Sequence, residues 1–447
     1  MSTQGDRTMG RLPRGPHGLE PAEVAADQRK RLIDAMVELV WELGYAATTV
    51  ADVIERAKVS RKTFYAHFAD RHELLLAAFD ASSPVAFEEV REASQRTGGA
   101  TRRLEALMRR LCGVAVESPG TIALATIEVA GANPAGLQRR DKLMSDFGSL
   151  IGECLSTEGD SGELSPTLAR ALAGSTHRTI DARMRSGGKS ELKELGPELA
   201  RWTRSYYPTP NDFTTSEPAG TMPVEESARL VGGRAPGTLT LAPSGYSPPA
   251  GRQTKGYLQQ TNRERIFDAV AQLIDEGGYM TLTAQAIAER ADISERAFLA
   301  HFKNKDEAFA AAVELGQMKA LAVVERARAG ARSWGEGVTR AVRAWLEFLA
   351  SEPLFTRMAF VDAPLAGPAM TRRAHEHAVG YTRLLLDGAP QRRHPPAIAP
   401  EAAVQGMFEL AFHHAIQHRA EQLLEMTREA TYLVLAPFLG VSEAAEA

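Results

Sequence analysis

The stretch VSRKTFYAHFADRHEL at 59–74 returns as ISERAFLAHFKNKDEA at 293–308. A chain that contains itself twice must fold as two copies of one unit. The correspondence holds a constant offset of 234 without a gap from Asp27/Thr261 to Asp80/Glu314, and roughly 20 of those 54 pairs are identical. Beyond that block the match fades, although Pro119/Pro353 keep the offset and the pairs Arg139-Arg140 and Arg372-Arg373 miss it by one. The duplicated unit is therefore a whole domain, and 447 residues are enough for two units that each bury a core.

Between the copies, residues 208–256 are dense in Pro, Gly, Ser and Thr and have no apolar period, which predicts a flexible linker. A coil of those 49 residues spans roughly 35–40 Å root-mean-square. Residues 1–22 read as a disordered arm. Its Arg7, Arg11 and Arg14 suit either a solvated tail or a minor-groove contact. Elsewhere apolar residues recur at three- and four-residue spacing, as in Leu32, Met36, Leu39, Val40 and Leu43. Breaks at Gly44, Ser118-Pro119-Gly120, Asn133-Pro134 and Gly187-Gly188 divide each half into about nine helices. No segment reads as a strand, so the expected class is all-α.

A formal net charge of −4 excludes a uniformly basic nucleic-acid coat but permits a local basic patch. Cys112 and Cys154 are too few for a disulfide framework or a cysteine metal site, and a cytoplasmic location is expected. No apolar run reaches the roughly 18–20 residues of a membrane helix. No phosphate-binding glycine loop, nucleophile elbow or zinc constellation appears, so neither an enzyme nor a cofactor is expected. His414 and His418 share a helix face beside His413, but the carboxylates that would complete a metal site are missing from that helix.

The repeated block carries the chemistry. Thr49 caps a short helix, VADVIERA, whose Val50, Val53 and Ala57 point inward. The three-residue turn KVS follows, and Ser60 caps RKTFYAHF, in which Phe64 and Phe68 lie one turn apart and face the core. Arg61, Lys62 and Tyr65 must then face outward. Two short helices joined by a tight turn, with cations and hydroxyls at the exposed start of the second, make a helix-turn-helix that fits a major groove.

These residues resemble the N-terminal DNA-binding domain of tetracycline-repressor (TetR/AcrR) type regulators. The first copy matches at Thr49, Val53, Ala57, Val59, Ser60, Thr63, Phe64, Tyr65, His67, Phe68, Asp70, Arg71, Glu73 and Leu74. The second matches at Thr283, Ile287, Ala288, Ala291, Ile293, Ser294, Phe298, His301, Phe302, Lys305 and Glu307. Lys58 and Asp292 stand where the family usually has a glycine in left-handed conformation, and Ile54 fills a slot usually held by a small residue. The resemblance implies a helical ligand-binding and dimerising domain behind each reading head. The resulting division is arm 1–22, first head 23–80, first regulatory domain 81–207, linker 208–256, second head 257–314 and second regulatory domain 315–447.

Arg61 and Lys62 are the expected base readers, since an arginine or lysine can bond guanine O6 and N7. Thr49, Ser60, Thr63, Tyr65, His67 and Arg71 are the expected phosphate contacts. In the second copy the expected DNA contacts are Thr283, Ser294, Glu295, Arg296, His301, Lys303 and Lys305. Arg61, Thr63 and Tyr65 have become Glu295, Ala297 and Leu299, so the frame is kept while the face has changed. An asymmetric double-stranded DNA operator follows.

Trp345, Phe348, Phe355, Met358, Tyr381, Met407, Phe408 and Phe412 give the second half an aromatic, Met-rich lining that TIALATIEVAGA in the first half lacks. A small-molecule effector is expected there. The second half's last helices carry a strong apolar face, and a long tether favours pairing inside the chain over a homodimer. The expected function is a ligand-responsive repressor. An adaptor that has lost DNA binding, and more remotely an all-α enzyme, stay open.

Overall fold

The computed structural model describes residues 20–208 and 255–447 apart from 97, 133, 157–163 and 391–393. The expected arm lies outside these residues but for its last three, and the expected linker but for residues 208, 255 and 256. The described residues are helical with no strand.

In the first half α1 (Pro21–Leu43), α2 (Val50–Ala57) and α3 (Arg61–His67) form the reading head. The rest comprises α4 (Arg71–Gln95), α5 (Ala100–Glu117), α6 (Pro119–Thr126), α7 (Pro134–Leu155), α8 (Pro166–Ser186) and α9 (Leu192–Arg204). α1 starts earlier than the apolar period alone suggests, because Pro21 sits at its first position and Glu20 and Glu23 close a capping box.

The second half has α10 (Lys255–Gly277), α11 (Ala284–Arg290), α12 (Glu295–Leu299), α13 (Lys305–Arg328), α14 (Trp334–Ser351), α15 (Pro353–Arg357), α16 (Ala363–Leu365), α17 (Pro368–Leu386), α18 (Ala399–Ile416), α19 (Thr427–Leu439) and α20 (Val441–Glu446). The counterpart of α6 is extended and broken here. A π turn over Met358–Asp362 separates α15 from α16, next to Pro364, which has no N–H to give the preceding turn.

The offset of 234 survives far beyond the visible repeat. Helix starts Pro21/Lys255, Val50/Ala284, Arg61/Glu295, Arg71/Lys305, Ala100/Trp334, Pro119/Pro353 and Pro134/Pro368 all keep it. Sequence identity has faded over those later helices, but helix placement has not, because core shape constrains where elements begin more than which apolar residue fills them.

The first head keeps its own core, built from Leu32, Met36, Val53, Phe64 and Leu74 with Leu124 and Val129 from behind. The second head, with Ile266, Phe267, Phe298 and Phe302, runs into the core shared by both regulatory domains. The two halves meet along α8 and α18, flanked by α9 and α19. Tyr206 donates its hydroxyl to the carbonyl of Leu433 at 2.7 Å, and Ser175 donates to that of Ala402 at 2.6 Å.

Candidate nucleic-acid interface

In each head the turn is fixed by the same devices. Thr49 accepts from the N–H of Asp52 and Ser60 from that of Thr63; Thr283 and Ser294 do the same for Ala286 and Ala297. Lys58 at φ 53° and Asp292 at φ 50° take the left-handed backbone where the family pattern has glycine. Arg31 holds the first turn by the carbonyl of Ala57 at 3.0 Å, and Arg265 holds the second by that of Asp292 at 3.0 Å. Arg56 pairs with Glu42 at 2.6 Å and Arg290 with Glu276 at 2.8 Å, again one offset apart. Asp292 also salt-bridges Arg265 at 2.8 Å, so its left-handed backbone has a compensating contact; the Lys58 side chain has no ion-pair partner among the described residues. Lys58→Gly is accordingly expected to raise stability by about 1 kcal/mol in denaturant titration, and Asp292→Gly by less.

On α3 and its caps the frame residues Phe64 and Phe68 are buried, whereas Ser60, Arg61, Lys62 and Tyr65 are exposed. The Arg61 guanidinium lies 5.9 Å from the Tyr65 ring centre. Phe298 on α12 and Phe302 just after it are buried, and Ser294, Glu295, Arg296 and Leu299 form the outer face. Among the described residues Lys62 and Arg296 have no ion-pair partner, which leaves both charges available to a ligand.

The remaining expected contacts stand differently. Thr63, His67 and His301 are half-buried, and His67 Nε2 lies 3.4 Å from Gln28. Burial pulls His301 below the usual histidine range. Arg71 donates to the carbonyl of Thr48 at 2.8 Å and stacks 4.7 Å from the Tyr45 ring centre. Lys305 repeats this, 4.6 Å from the Tyr279 ring centre. Both cations therefore pin the segment that leads into α2 or α11. Lys303 is exposed.

Behind each head lies a joint that sequence reasoning missed. The N–H of Tyr45 donates to Glu128 at 2.9 Å, and that of Tyr279 donates to Asp362 at 3.0 Å, each across 83 residues. Burial pushes Glu128 up to about 7 and Asp362 up to about 6. The signal was a carboxylate at 128 and at 362, one offset apart, inside apolar runs.

The sequence profile of the bacterial regulatory proteins of the tetR family matches residues 32–78 and again residues 266–312. The chain carries two tetR-type DNA-binding domains in tandem. Both matches fall on the helix-turn-helix heads described above, the DNA-binding domains of a transcription regulator.

Similar solved structures are the fatty acid degradation regulator FadR from Bacillus halodurans, 18% identical, over 40% of this chain and 94% of that one, with a TM-score of 0.36. FadR from Bacillus subtilis, solved with stearoyl-CoA, is 19% identical over 39% and 97%, with a TM-score of 0.34. A TetR family regulator from Marinobacter aquaeolei VT8 is 19% identical over 40% and 96%, with a TM-score of 0.32. Among the described residues no helix of this tetR-type chain is long and apolar enough to cross a membrane, and no cluster of metal-ligating residues occurs.

Of the residues expected to bind an effector, Trp345, Tyr381, Met407 and Phe408 line one apolar cavity of about 80 Å³ in the second half. The other four pack elsewhere. Phe355 is buried against Gly316, where an added Cβ would lie 2.1 Å from the ring, and Phe348 meets Phe355 edge-on. Met358 is buried in the π turn, and Phe412 lies beneath Arg140.

Proposed function

We propose that this chain is a ligand-responsive repressor whose two halves pair within one chain and read an asymmetric operator. The observation that carries the reading is a duplicated set of frame contacts beneath two different outer faces. The first face offers Arg61, Lys62 and the Tyr65 hydroxyl, which suit guanine and phosphate; Thr49, Ser60 and Thr63 add register. On the second, Glu295 suits cytosine N4, and Arg296 and Lys303 suit phosphate or guanine. Arg71 and Lys305 act by holding the leading segment in place.

Effector and head communicate through α18 in this reading. A cavity of about 80 Å³ is well below the ~300 Å³ of ordinary ligand pockets, so a drug-sized effector enters only by moving its walls. Phe408 lines that cavity, and Glu409, the next residue, is buried in the seam between the halves. Widening the pocket therefore acts on the seam.

Binding of the full chain to its own upstream DNA over a salt series tests the DNA reading, with log affinity expected to fall steadily with log salt. Tyr65→Phe is expected to weaken all sites alike, and Arg61→Ala to relax preference at one base position; equal losses across a mismatch panel reject the base-reading role. For the effector, a thermal-shift survey of apolar compounds on the full chain should give stabilisation that Trp345→Phe reduces. Light scattering at micromolar concentration should return a particle of 48.4 kDa, and twice that mass rejects pairing within the chain.

A further inference from the structure

Arg178 is a buried cation that cannot place all of its donors. Its side chain is 10% exposed, with Nε 3.1 Å from Glu409 and the guanidinium 5.3 Å from the Phe412 ring centre. Its Nη2 is buried without a hydrogen-bond partner. The carboxylate it reaches is already held by both arms of Arg140, at 2.9 and 2.6 Å. Arg140, Arg178 and Glu409 thus bury two positive charges against one negative, an imbalance a low-dielectric interior disfavours unless another anion supplies the difference.

Beside Arg178 lies a cavity of about 380 Å³, bounded by α8 and the end of α1 on one side and by α16 and α17 on the other. Its walls include Trp41, Ala374, His375, Gln405 and Phe408. The duplication explains the space: Ala374 stands one offset from Arg140, so a methyl group replaces the guanidinium that fills the first half. His375 Nδ1 is a second buried nitrogen without a hydrogen-bond partner. The acids of the wall are already engaged, Asp181 with Arg185 at 2.8 Å and Glu42 with Arg56 at 2.6 Å. Asp181 keeps one unpartnered oxygen, Oδ1, as an acceptor for a ligand hydroxyl. The site combines a surplus guanidinium with two aromatic walls and a volume in the range of small-molecule pockets.

We propose that this seam cavity binds an organic carboxylate with a flat apolar body, the anion on Arg178 and the body against Trp41 and Phe408. It shares the Phe408 wall with the apolar cavity lined by Trp345, and its other walls are different. Because Trp41 belongs to α1, its occupant touches the first head and the second half at once.

Calorimetric titration of the full chain with naphthalene-2-carboxylate, against naphthalene-2-carboxamide as its neutral counterpart, tests this. The acid is expected to bind with a Kd below about 1 mM, and the amide about tenfold or more weakly. Arg178→Met should lose about tenfold as well. Ala374→Phe, which fills the cavity and leaves the ion cluster intact, should abolish binding, and it decides the matter if Arg178→Met does not fold. Val338→Ala, in a wall that only the other cavity has, should leave the acid's affinity unchanged. No heat from the acid up to about 10 mM, equal binding of acid and amide, or binding that survives Ala374→Phe would overturn the proposal.

Discussion

Glu409→Gln is expected to destabilise the chain by about 3–5 kcal/mol, read as a lower midpoint in denaturant, because it leaves two buried guanidiniums without their counter-ion. Arg140 and Glu409 are 1% and 0% exposed, so water cannot take over the lost interaction. The triple replacement Arg140→Met/Arg178→Met/Glu409→Leu should recover most of the loss, since an apolar set of similar volume avoids the desolvation cost. A triple variant no better than Glu409→Gln would mean that the loss arises from packing. The acid limb gives an independent reading. Burial pulls the Glu409 carboxyl up, but the charges of Arg140 and Arg178 outweigh it and hold it at about 2, against 4.5 when free. A depressed carboxylate stabilises fully above its unfolded value, so this contribution is lost as pH falls from 4.5 towards 2 and is absent in Glu409→Gln.

The same cluster disfavours wrong pairings. At the offset, Phe408 and Glu409 correspond to Gly174 and Ser175. Gly174 is packed so closely on Glu409 that an added Cβ would lie 2.1 Å from its Cγ. Two second halves would therefore set Phe408 where only glycine fits and bring two buried carboxylates together. Two first halves would gather four guanidiniums without a Glu409 between them. Each surface accepts the other kind and repels its own.

The second large effect is expected on DNA. Arg61→Ala/Lys62→Ala should weaken binding to the natural site by about a hundredfold or more and make the salt dependence shallower by one to two charges, roughly in line with the loss of two cationic contacts. Glu295→Ala/Arg296→Ala should instead alter the footprint on one side, with a smaller loss, because the charge there is balanced before DNA arrives. Footprinting of both variants on one fragment reads the difference. Equal losses on a symmetric footprint refute division of labour between the heads, and a second pair without effect would leave the later copy as a support for its neighbour.

The frame was legible in the sequence because it is local. Caps, turn and the Phe64/Phe68 pair lie within a few residues of one another, and their copies confirm the spacing. The left-handed turn at Lys58 and Asp292 could be anticipated for the same reason. Half of the anticipated effector residues came together and half did not, since a helical stripe of aromatics looks the same whether it lines a cavity or fills a core; Phe355 fills the space beside Gly316. The joints at Glu128 and Asp362 and the cluster at Glu409 were hidden by distance. Their partners lie 83 and 269 residues away, and nothing in a single chain marks a carboxylate in an apolar run as satisfied.

A seam closed between α8 and α18 of one polypeptide changes the arithmetic of gene dosage. Where two identical subunits must first collide, the two-headed species grows with the square of subunit number at low abundance, and control fails in cells that inherit few copies. With the proposed pairing within the chain, folding and assembly are a single unimolecular event, and each chain is one two-headed reader. Occupancy of the operator then scales linearly with expression down to a handful of molecules per cell, and dilution at division halves it without dismantling it.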